Sequence, residues 1–365
     1  MSTLEKYGYG LRPNALAADA ITYDTSNVLA GIPKGNQLSD ALRATRNAIP
    51  ENPDHSVSML NMVRGGLGSA ANWLEGAPKI GPDTLAPMGA SVMTSMGLNA
   101  FGAIPKNAAG IFGGRIAANR LAEAGRAGPR GALDLAESMQ ARGASMSEIR
   151  AATNAYLARE APEFGGVHLG RDGKWRFEID DRGLSFNPSA DWRSATDHFP
   201  HGIFEQAYPE ARRIDSMVAT GDAIKSAAGY VEDLGTAHPS MMVRTPTAEQ
   251  ARRIAAHEFQ HVAQATEGFD FGSSPAAVMR SPLYGQFVSE IRKSPTYRKA
   301  SHDAQKAAEE ELARRLYTYL AGEVEAENVA GRIAMSPEQR RAIPPSETES
   351  VPHRSQFLLR DLWPE

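Results

Sequence analysis

Residues 255–264 read AAHEFQHVAQ and contain the pattern His-Glu-x-x-His at His257, Glu258 and His261. An α-helix turns once every 3.6 residues, so on a helix the two histidines lie one turn apart on the same face. Two imidazoles in this arrangement can bind a single metal ion, and zinc is the usual one. The alternative is a solvated helix face with two unliganded histidines.

The flanking residues favour a helix for this stretch. Thr247 and Gln250 are typical of a helix start, and Gly268 is typical of a helix end. We therefore predict one helix over residues 247–268.

Glu258 follows the first histidine but points in a different direction around the helix. It can therefore face a water molecule on the metal rather than the metal itself. Zinc lowers the pKa of such a water to about 7, and a nearby carboxylate can accept its proton. We predict that Glu258 is the general base in zinc-dependent hydrolysis of an amide bond.

A catalytic zinc site needs a third protein ligand. Since the chain has no cysteine, this ligand must be His, Asp or Glu. In the segment YLAGEVEAENVAGR, Glu323 and Glu327 share a helix face, while Glu325 points the opposite way. We predict Glu323 as the ligand and Glu327 as the alternative. Four further candidates stay open at this point: His302, His353, Glu267 and Asp270.

Composition and charge indicate an ordinary globular protein. Hydrophobic residues make up 42% of the 365 residues and charged residues 22%, with a net charge of −4. This slightly acidic balance does not favour binding to nucleic acid, and we expect none. The absence of cysteine excludes disulfide bonds and thiolate metal sites.

The chain changes character near residue 131. Segments before it, such as LAPMGASVMTSMGLNAFGAIP, are rich in Gly, Ala, Ser and Met, which bury little area for their loss of chain entropy. We assign residues 1–130 to a low-complexity arm that is partly disordered or ordered by a partner. The uncharged stretch 84–105 makes contact with a membrane a less favoured alternative.

Residues 131–365 carry the signals of an α+β domain. Trp175, Phe177 and Ile179 alternate with charged residues, which predicts a half-buried strand after a hairpin turn at Asp172-Gly173. IDSMVA and PSMMVRT predict two more strands, and a second long helix is predicted from about residue 294 to 335. The expected fold is a small antiparallel sheet packed on the His-Glu-x-x-His helix and this second helix.

Four blocks of the sequence together resemble a known family. They are GRDGKWRFEIDD (170–181), AAHEFQHVAQATEGFDFGSSP (255–275), AGEVEAENVAGR (321–332) and MSPEQRRAIPPSETESVP (335–352). In order and spacing they resemble the zincin-like metallopeptidase domains that phages encode in association with large polyvalent proteins. The resemblance covers about residues 150–365.

The resemblance implies zinc bound by His257 and His261, Glu258 as general base, and a glutamate of the AGEVEA block, most simply Glu323, as third ligand. Two positions depart from the family pattern. Glu327 stands where relatives usually have Arg, and Ser350 where they usually have Asp. The first departure leaves Glu327 open as the ligand.

Other residues were assigned supporting roles. A histidine ligand normally donates its second ring N–H to an oxygen acceptor, which here can be Asp270, Glu325 or a backbone carbonyl. Gln260 and Gln264 are candidates for a supporting contact, and we predict Gln264 and Glu325 as the supporting residues. The strand PSMMVRT is a candidate edge for pairing with an extended peptide substrate. No residue stands out as a donor to the reacting carbonyl oxygen; three guesses are Tyr319, Tyr284 and His353.

Two functions are therefore expected from the sequence. The first is a phage-encoded zinc peptidase that acts on a protein or peptide, located in the virion or in the host cytoplasm after delivery. The second is a structural virion or ejection protein with a non-catalytic zincin fold. In that case residues 1–130 would mediate assembly with other virion proteins or contact with a membrane.

Overall fold

The structure is a computed structural model, and it describes residues 111–363 except residues 190, 222–227 and 235. Most of the predicted arm, including the uncharged stretch 84–105, lies outside the described residues. The described region combines helices with two small sheets, which confirms the α+β class. No helix within 111–363, apart from those gaps, is long and apolar enough to cross a membrane.

The first sheet is antiparallel with strand order β1-β3-β2. Its strands are β1 (Ile111–Gly113), β2 (Phe164–Leu169) and β3 (Trp175–Ile179). The predicted hairpin joins β2 to β3: Gly170 N–H donates to Lys174 O at 2.9 Å, and Gly173 has a φ of 80°. A positive φ suits glycine, which is why the turn forms at Asp172-Gly173.

The second sheet has strand order β4-β5-β7-β6. Its strands are β4 (Arg193–Ser194), β5 (Asp215–Thr220), β6 (Ala228–Glu232) and β7 (Ser240–Thr245). The strands predicted at IDSMVA and PSMMVRT are β5 and β7, but they pair in parallel rather than antiparallel. β7 also lies between two strands, so the prediction that it forms an edge is wrong, and β6 is the edge strand beside it.

Within the residues that the structure describes, twelve helices surround these sheets. They are α1 (Arg115–Glu123), α2 (Gly128–Ala141), α3 (Met146–Glu160), α4 (Ala195–His198), α5 (Gly202–Ala207), α6 (Ala248–Glu267), α7 (Pro275–Met279), α8 (Pro282–Lys293), α9 (Pro295–Lys299), α10 (His302–Thr318), α11 (Ala321–Gly331) and α12 (Pro337–Ala342). α6 packs against β1 of the first sheet, against β5, β6 and β7 of the second, and against α11. It is therefore the central helix, and it is the helix that carries the His-Glu-x-x-His pattern.

The ends of α6 are the predicted ones. The Thr247 side chain accepts a hydrogen bond from Gln250 N, and Gly268 closes the helix in the left-handed conformation with a φ of 65°. Residues 111–130, which the sequence assigned to the arm, form β1 and α1 and pack into the same region. Phe112 N–H donates to Gln260 Oε1 on α6 at 2.8 Å.

The predicted second long helix is wrong, because three helices, α9, α10 and α11, occupy residues 295–331. The break before α11 is caused by a distant segment. Leu320 is extended, Ala321 N–H donates to Phe357 O at 2.7 Å, and Phe357 N–H donates to Tyr319 O at 2.9 Å. These hydrogen bonds replace helical ones, so α10 ends at Thr318 and α11 begins at Ala321.

β3 is buried on both faces, whereas the alternating sequence predicted one exposed face. The charged residues of this strand are paired inside the protein. Oε1 of Glu178 lies 2.6 Å from Nη2 of Arg332, and Nε of Arg176 lies 2.6 Å from Oε2 of Glu325. The helices near the C-terminus therefore cover the face of β3 that the sequence predicts to be exposed to solvent.

Arg340 completes this buried charge network and should be one of its main sources of stability. It donates to Ile179 O and to Asp181 Oδ1, each at 2.6 Å. Because Arg340→Met leaves the buried Asp181 carboxyl without its cation, we expect the free energy of unfolding in urea to fall by about 3–5 kcal/mol. The control Arg182→Met removes a half-exposed partner of Asp180 and should cost at most about 1 kcal/mol. Equal losses in the two variants would contradict this assignment.

Candidate metal centre

Two histidines of α6 and one glutamate of α11 converge in the structure. The Nε2 atoms of His257 and His261 are 3.2 Å apart, and each lies 3.7 Å from an oxygen of Glu323. All three candidate ligand atoms fall within 4.8 Å of one another. His257, His261 and Glu323 could therefore hold a metal ion.

The ring orientation of His261 is fixed by Gln264. The Gln264 amide nitrogen donates to Gly322 O at 2.9 Å and to Glu325 Oε1 at 3.2 Å. Its oxygen is therefore the atom that faces His261 Nδ1, at 2.8 Å, and it accepts the Nδ1 proton. In the neutral imidazole this tautomer places the lone pair on Nε2, which is directed at the other two candidate ligands.

Glu325 accepts a hydrogen bond from Gln264, which in turn contacts the candidate ligand His261. Its Oε1 accepts a hydrogen bond from Gln260 at 2.6 Å, and its Oε2 lies 2.6 Å from Nε of Arg176. Arg176 is also paired through both terminal nitrogens with Asp172, at 2.8 and 3.0 Å. The structure thus places Gln264 and Glu325 where the sequence analysis expected supporting residues.

A loop between α6 and α7 fixes Glu323. Ser273 N–H donates to Glu323 Oε1 at 3.0 Å, and the Phe271 ring packs on His261 with centroids 5.5 Å apart. Gly272 lies so close that an added Cβ would be 2.0 Å from Glu323 Oε1 and 2.7 Å from Cε1 of His261. Only a residue without a side chain lets this loop approach the ligands.

Gly272→Ala should consequently weaken metal binding. The methyl group must displace Glu323 or His261, so we expect the metal affinity to fall by about 10–100-fold, as it does when a supporting contact to a ligand is lost. Isothermal titration of zinc into the metal-free protein measures it. Gly285→Ala is the matched control, because an added Cβ there meets nothing within 4 Å. An unchanged affinity in Gly272→Ala would show that the loop does not position the ligands.

Glu258 lies buried beside the edge strand β6, with 4% of its surface exposed. The Val231 backbone N–H hydrogen bonds to its carboxylate, and an added Cβ on Gly229 would be 2.9 Å from its Oε1. Burial raises the pKa of Glu258, and the charges of His257 and His261 oppose this rise. The result is a carboxylate more basic than usual, next to the candidate ligands.

Glu327, the alternative ligand, lies one helical turn beyond Glu323 and is not part of the three-residue group. Its Oε2 accepts a hydrogen bond from Ser350 at 2.7 Å. The two positions that depart from the family pattern are therefore in contact with each other.

The other candidate ligands lie elsewhere and have other contacts. Glu267 accepts hydrogen bonds from two backbone N–H groups at the start of α1, and Asp270 accepts one from Leu359 N. His353 lies 3.0 Å from Glu349, and His302 has 89% of its side chain exposed. None of these four belongs to the candidate metal group.

Tyr317 is a residue of the site that the sequence pattern did not indicate. Its side chain hydrogen bonds to Glu323, and burial together with the charge of Glu323 raises its pKa. The guessed residues have other contacts: Tyr284 donates to Glu309 O, and the Tyr319 ring packs near Phe357. The signal available was two tyrosines in LYTYLAGE, and only the helix break at Leu320 decides which of them reaches the site.

Metal binding at this site should release a proton. Burial lowers the pKa of His257, but the hydrogen bond to Glu323 and the charges of Glu258, Glu323 and Glu327 outweigh burial and raise this pKa to about 9. His257 is therefore protonated at pH 7, and it must become neutral to bind a metal. We expect metal affinity to rise with pH up to about 9.

Calorimetry can measure this proton release. At pH 7 the observed enthalpy of zinc binding should vary with the ionisation enthalpy of the buffer, with a slope of about one proton per metal ion. A buffer-independent enthalpy would show that His257 is already neutral at that pH.

Comparison with known proteins provides no family assignment. The chain matches no protein-family model, no curated protein and no solved structure.

Proposed function

We propose that this chain is a zinc-dependent peptidase of the zincin type, encoded by a phage and acting in the virion or in the host cytoplasm. The observation that supports the proposal most directly is the convergence of His257, His261 and Glu323 with Glu258 beside them. The phage origin rests on the sequence resemblance alone.

The residues present fit zinc. Atoms bound tetrahedrally at about 2.0–2.1 Å from a zinc ion lie about 3.3 Å from one another. The candidate ligand atoms are 3.2 and 3.7 Å apart, so small side-chain movements are enough. Two imidazoles and one carboxylate are also the ligand set of many catalytic zinc sites, in which the fourth position stays open for water or substrate.

The protein groups divide the work of peptide hydrolysis among them. His257, His261 and Glu323 would hold the zinc ion, which would supply a Lewis acid for the scissile carbonyl and lower the pKa of the attacking water. Glu258 accepts the proton of that water and passes it to the leaving amine nitrogen. Gln264 holds His261 in the required tautomer, and the Tyr317 hydroxyl donates a hydrogen bond to Glu323 and so orients this candidate ligand.

The edge strand β6 offers a place for an extended peptide. It is the last strand of its sheet, its Val231 N–H hydrogen bonds to Glu258, and a Cβ added at Gly229 would lie 2.9 Å from Glu258 Oε1. A peptide added to this edge by backbone hydrogen bonds runs past the general base. β6 thus takes the role that the sequence analysis gave to PSMMVRT.

Metal analysis of the full-length protein tests the proposal. We expect about one zinc ion per chain, lost in His257→Ala, and hydrolysis of an unfolded protein substrate that stops in chelator and returns with zinc. Bound zinc should also raise the melting temperature, because it binds only the folded state. A metal-free protein whose melting temperature is unaffected by zinc or chelator would contradict the proposal and favour a structural virion protein.

A further inference from the structure

A chain of buried hydrogen bonds joins β1 to the candidate metal centre. The Phe112 N–H donates to Oε1 of Gln260 at 2.8 Å, and Nε2 of Gln260 donates to Oε1 of Glu325 at 2.6 Å. Nε2 of Gln264 donates to the same oxygen of Glu325 at 3.2 Å, and Oε1 of Gln264 accepts the Nδ1 proton of His261. The backbone of β1 is therefore connected to one of the candidate ligands.

Phe112 fixes the orientation of the Gln260 amide. The Phe112 N–H can only donate, so it holds the amide oxygen of Gln260 toward β1, and the amide nitrogen then faces Glu325. A reversed amide would turn its oxygen toward Oε1 of Glu325, where two acceptors would meet without a hydrogen bond. Phe112 is 1% exposed and Gln260 0% exposed, so neither has water as an alternative partner. When β1 leaves, the amide loses the contact that orients it.

β1 is short and lies where the N-terminal part of the chain enters the described region. It has three residues and pairs with β3 on one side, while the Gln260 side chain bonds to its backbone on the other. Elements with few contacts open locally at a lower free energy than the whole protein unfolds. Residues 1–110 precede β1 in the chain, so a partner bound to them acts on β1 first.

We propose that β1 regulates the metal centre: metal binds tightly while β1 lies beside Gln260, and the metal affinity falls when β1 is displaced. The inference rests on the metal site of the proposed function. Gln260 is a positioning residue in this arrangement, because it acts on His261 through the side chains of Glu325 and Gln264. A partner of residues 1–110 that displaces β1 thereby lowers the metal affinity.

Gly113→Ala disturbs β1 without altering any residue of the hydrogen-bond chain. An added Cβ would lie 2.8 Å from Cζ of Phe177 and 3.2 Å from Cβ of Ala117, so β1 must shift. We expect isothermal titration of zinc into the full-length variant to show an affinity lowered by about tenfold, as when a contact that supports a ligand is lost. Gly128→Ala is the matched control, because its added Cβ is 2.1 Å from Cβ of Ala161, which belongs neither to β1 nor to the hydrogen-bond chain. It should lower the melting temperature and leave the zinc affinity unchanged.

Gln260→Met removes the amide that connects β1 to Glu325 and keeps a side chain of similar length. We expect it to lower the zinc affinity by about tenfold, and Gly113→Ala should cause no further loss in this background, because coupled residues do not act additively. Coupling is also reciprocal. Where hydrogen exchange proceeds by local opening, zinc should therefore slow exchange of the Phe112 amide by about the same factor in the wild type, and should not slow it in Gln260→Met. A purely structural role of Gln260 would lower stability without this dependence on zinc.

The inference is overturned by an unchanged zinc affinity in Gly113→Ala, by an equal loss in Gly128→Ala, or by additive losses in the double variant. If Gly113→Ala does not fold, exchange of the Phe112 amide in the wild type decides instead, and exchange unaffected by zinc overturns the inference. Zinc binding with this coupling but without peptide hydrolysis would refute the peptidase activity alone. Hydrolysis without the coupling would refute the role of β1 alone, and a wild-type protein that binds no zinc would refute both.

Discussion

Glu258→Gln is expected to lower kcat for peptide hydrolysis by about 10²–10⁴-fold while the zinc content stays at that of the wild type. Glutamine has the same shape but cannot accept the proton of the attacking water. Glu258 lies outside the group that could hold the metal, so the substitution leaves the candidate ligands in place. Turnover of a fluorogenic peptide and metal analysis of the same sample measure the two quantities.

The direction of the pKa shift explains why Glu258 suits this role. Burial raises its pKa, and the charges of His257 and His261 only partly oppose this rise. Proton transfer is most efficient when the pKa of the base lies near the working pH. Glu325→Gln is the control: it removes a buried carboxylate of α11 that contacts Gln264, so it should weaken zinc binding rather than slow the chemical step. If Glu258→Gln retains full activity, Glu258 is not the general base.

The features predicted correctly depend on local sequence. The ends of α6 follow from Thr247 and Gly268, and the face shared by His257 and His261 follows from helix periodicity alone. The i, i+4 spacing on one helix face limits the candidate acids to Glu323 and Glu327, and in the structure Glu323 is the one that lies with the two histidines.

The features predicted wrongly depend on distant residues. The break before α11 exists because Phe357 hydrogen bonds to the backbone at Tyr319 and Ala321, and no local signal marks it. The charged side of β3 is buried because Arg332 and Arg340 reach it from the C-terminal helices. Tyr317, which contacts Glu323, lies at the end of α10 just before that break.

We expect Glu323→Gln to lower the zinc affinity by more than about 100-fold. This decrease is larger than the one caused by removing a residue that contacts a ligand but not the metal. The amide is neutral and a poor zinc ligand, whereas two imidazoles alone leave the ion without its anionic partner. The fold should survive, because the amide oxygen can still accept the hydrogen bond from Ser273 N–H. Competition with a zinc-binding dye measures the affinity.

The decisive comparison is with Glu327→Gln, one turn farther along the same helix. Both variants remove one negative charge near His257, so a purely electrostatic effect would weaken zinc binding in both. Direct ligation predicts a large loss in Glu323→Gln alone, together with loss of the zinc-dependent rise in melting temperature. The opposite pattern, with zinc lost only in Glu327→Gln, would transfer the third ligand to Glu327. It would also require α11 to rotate relative to α6, because in the structure Glu323 is the carboxylate that both imidazoles face at 3.7 Å.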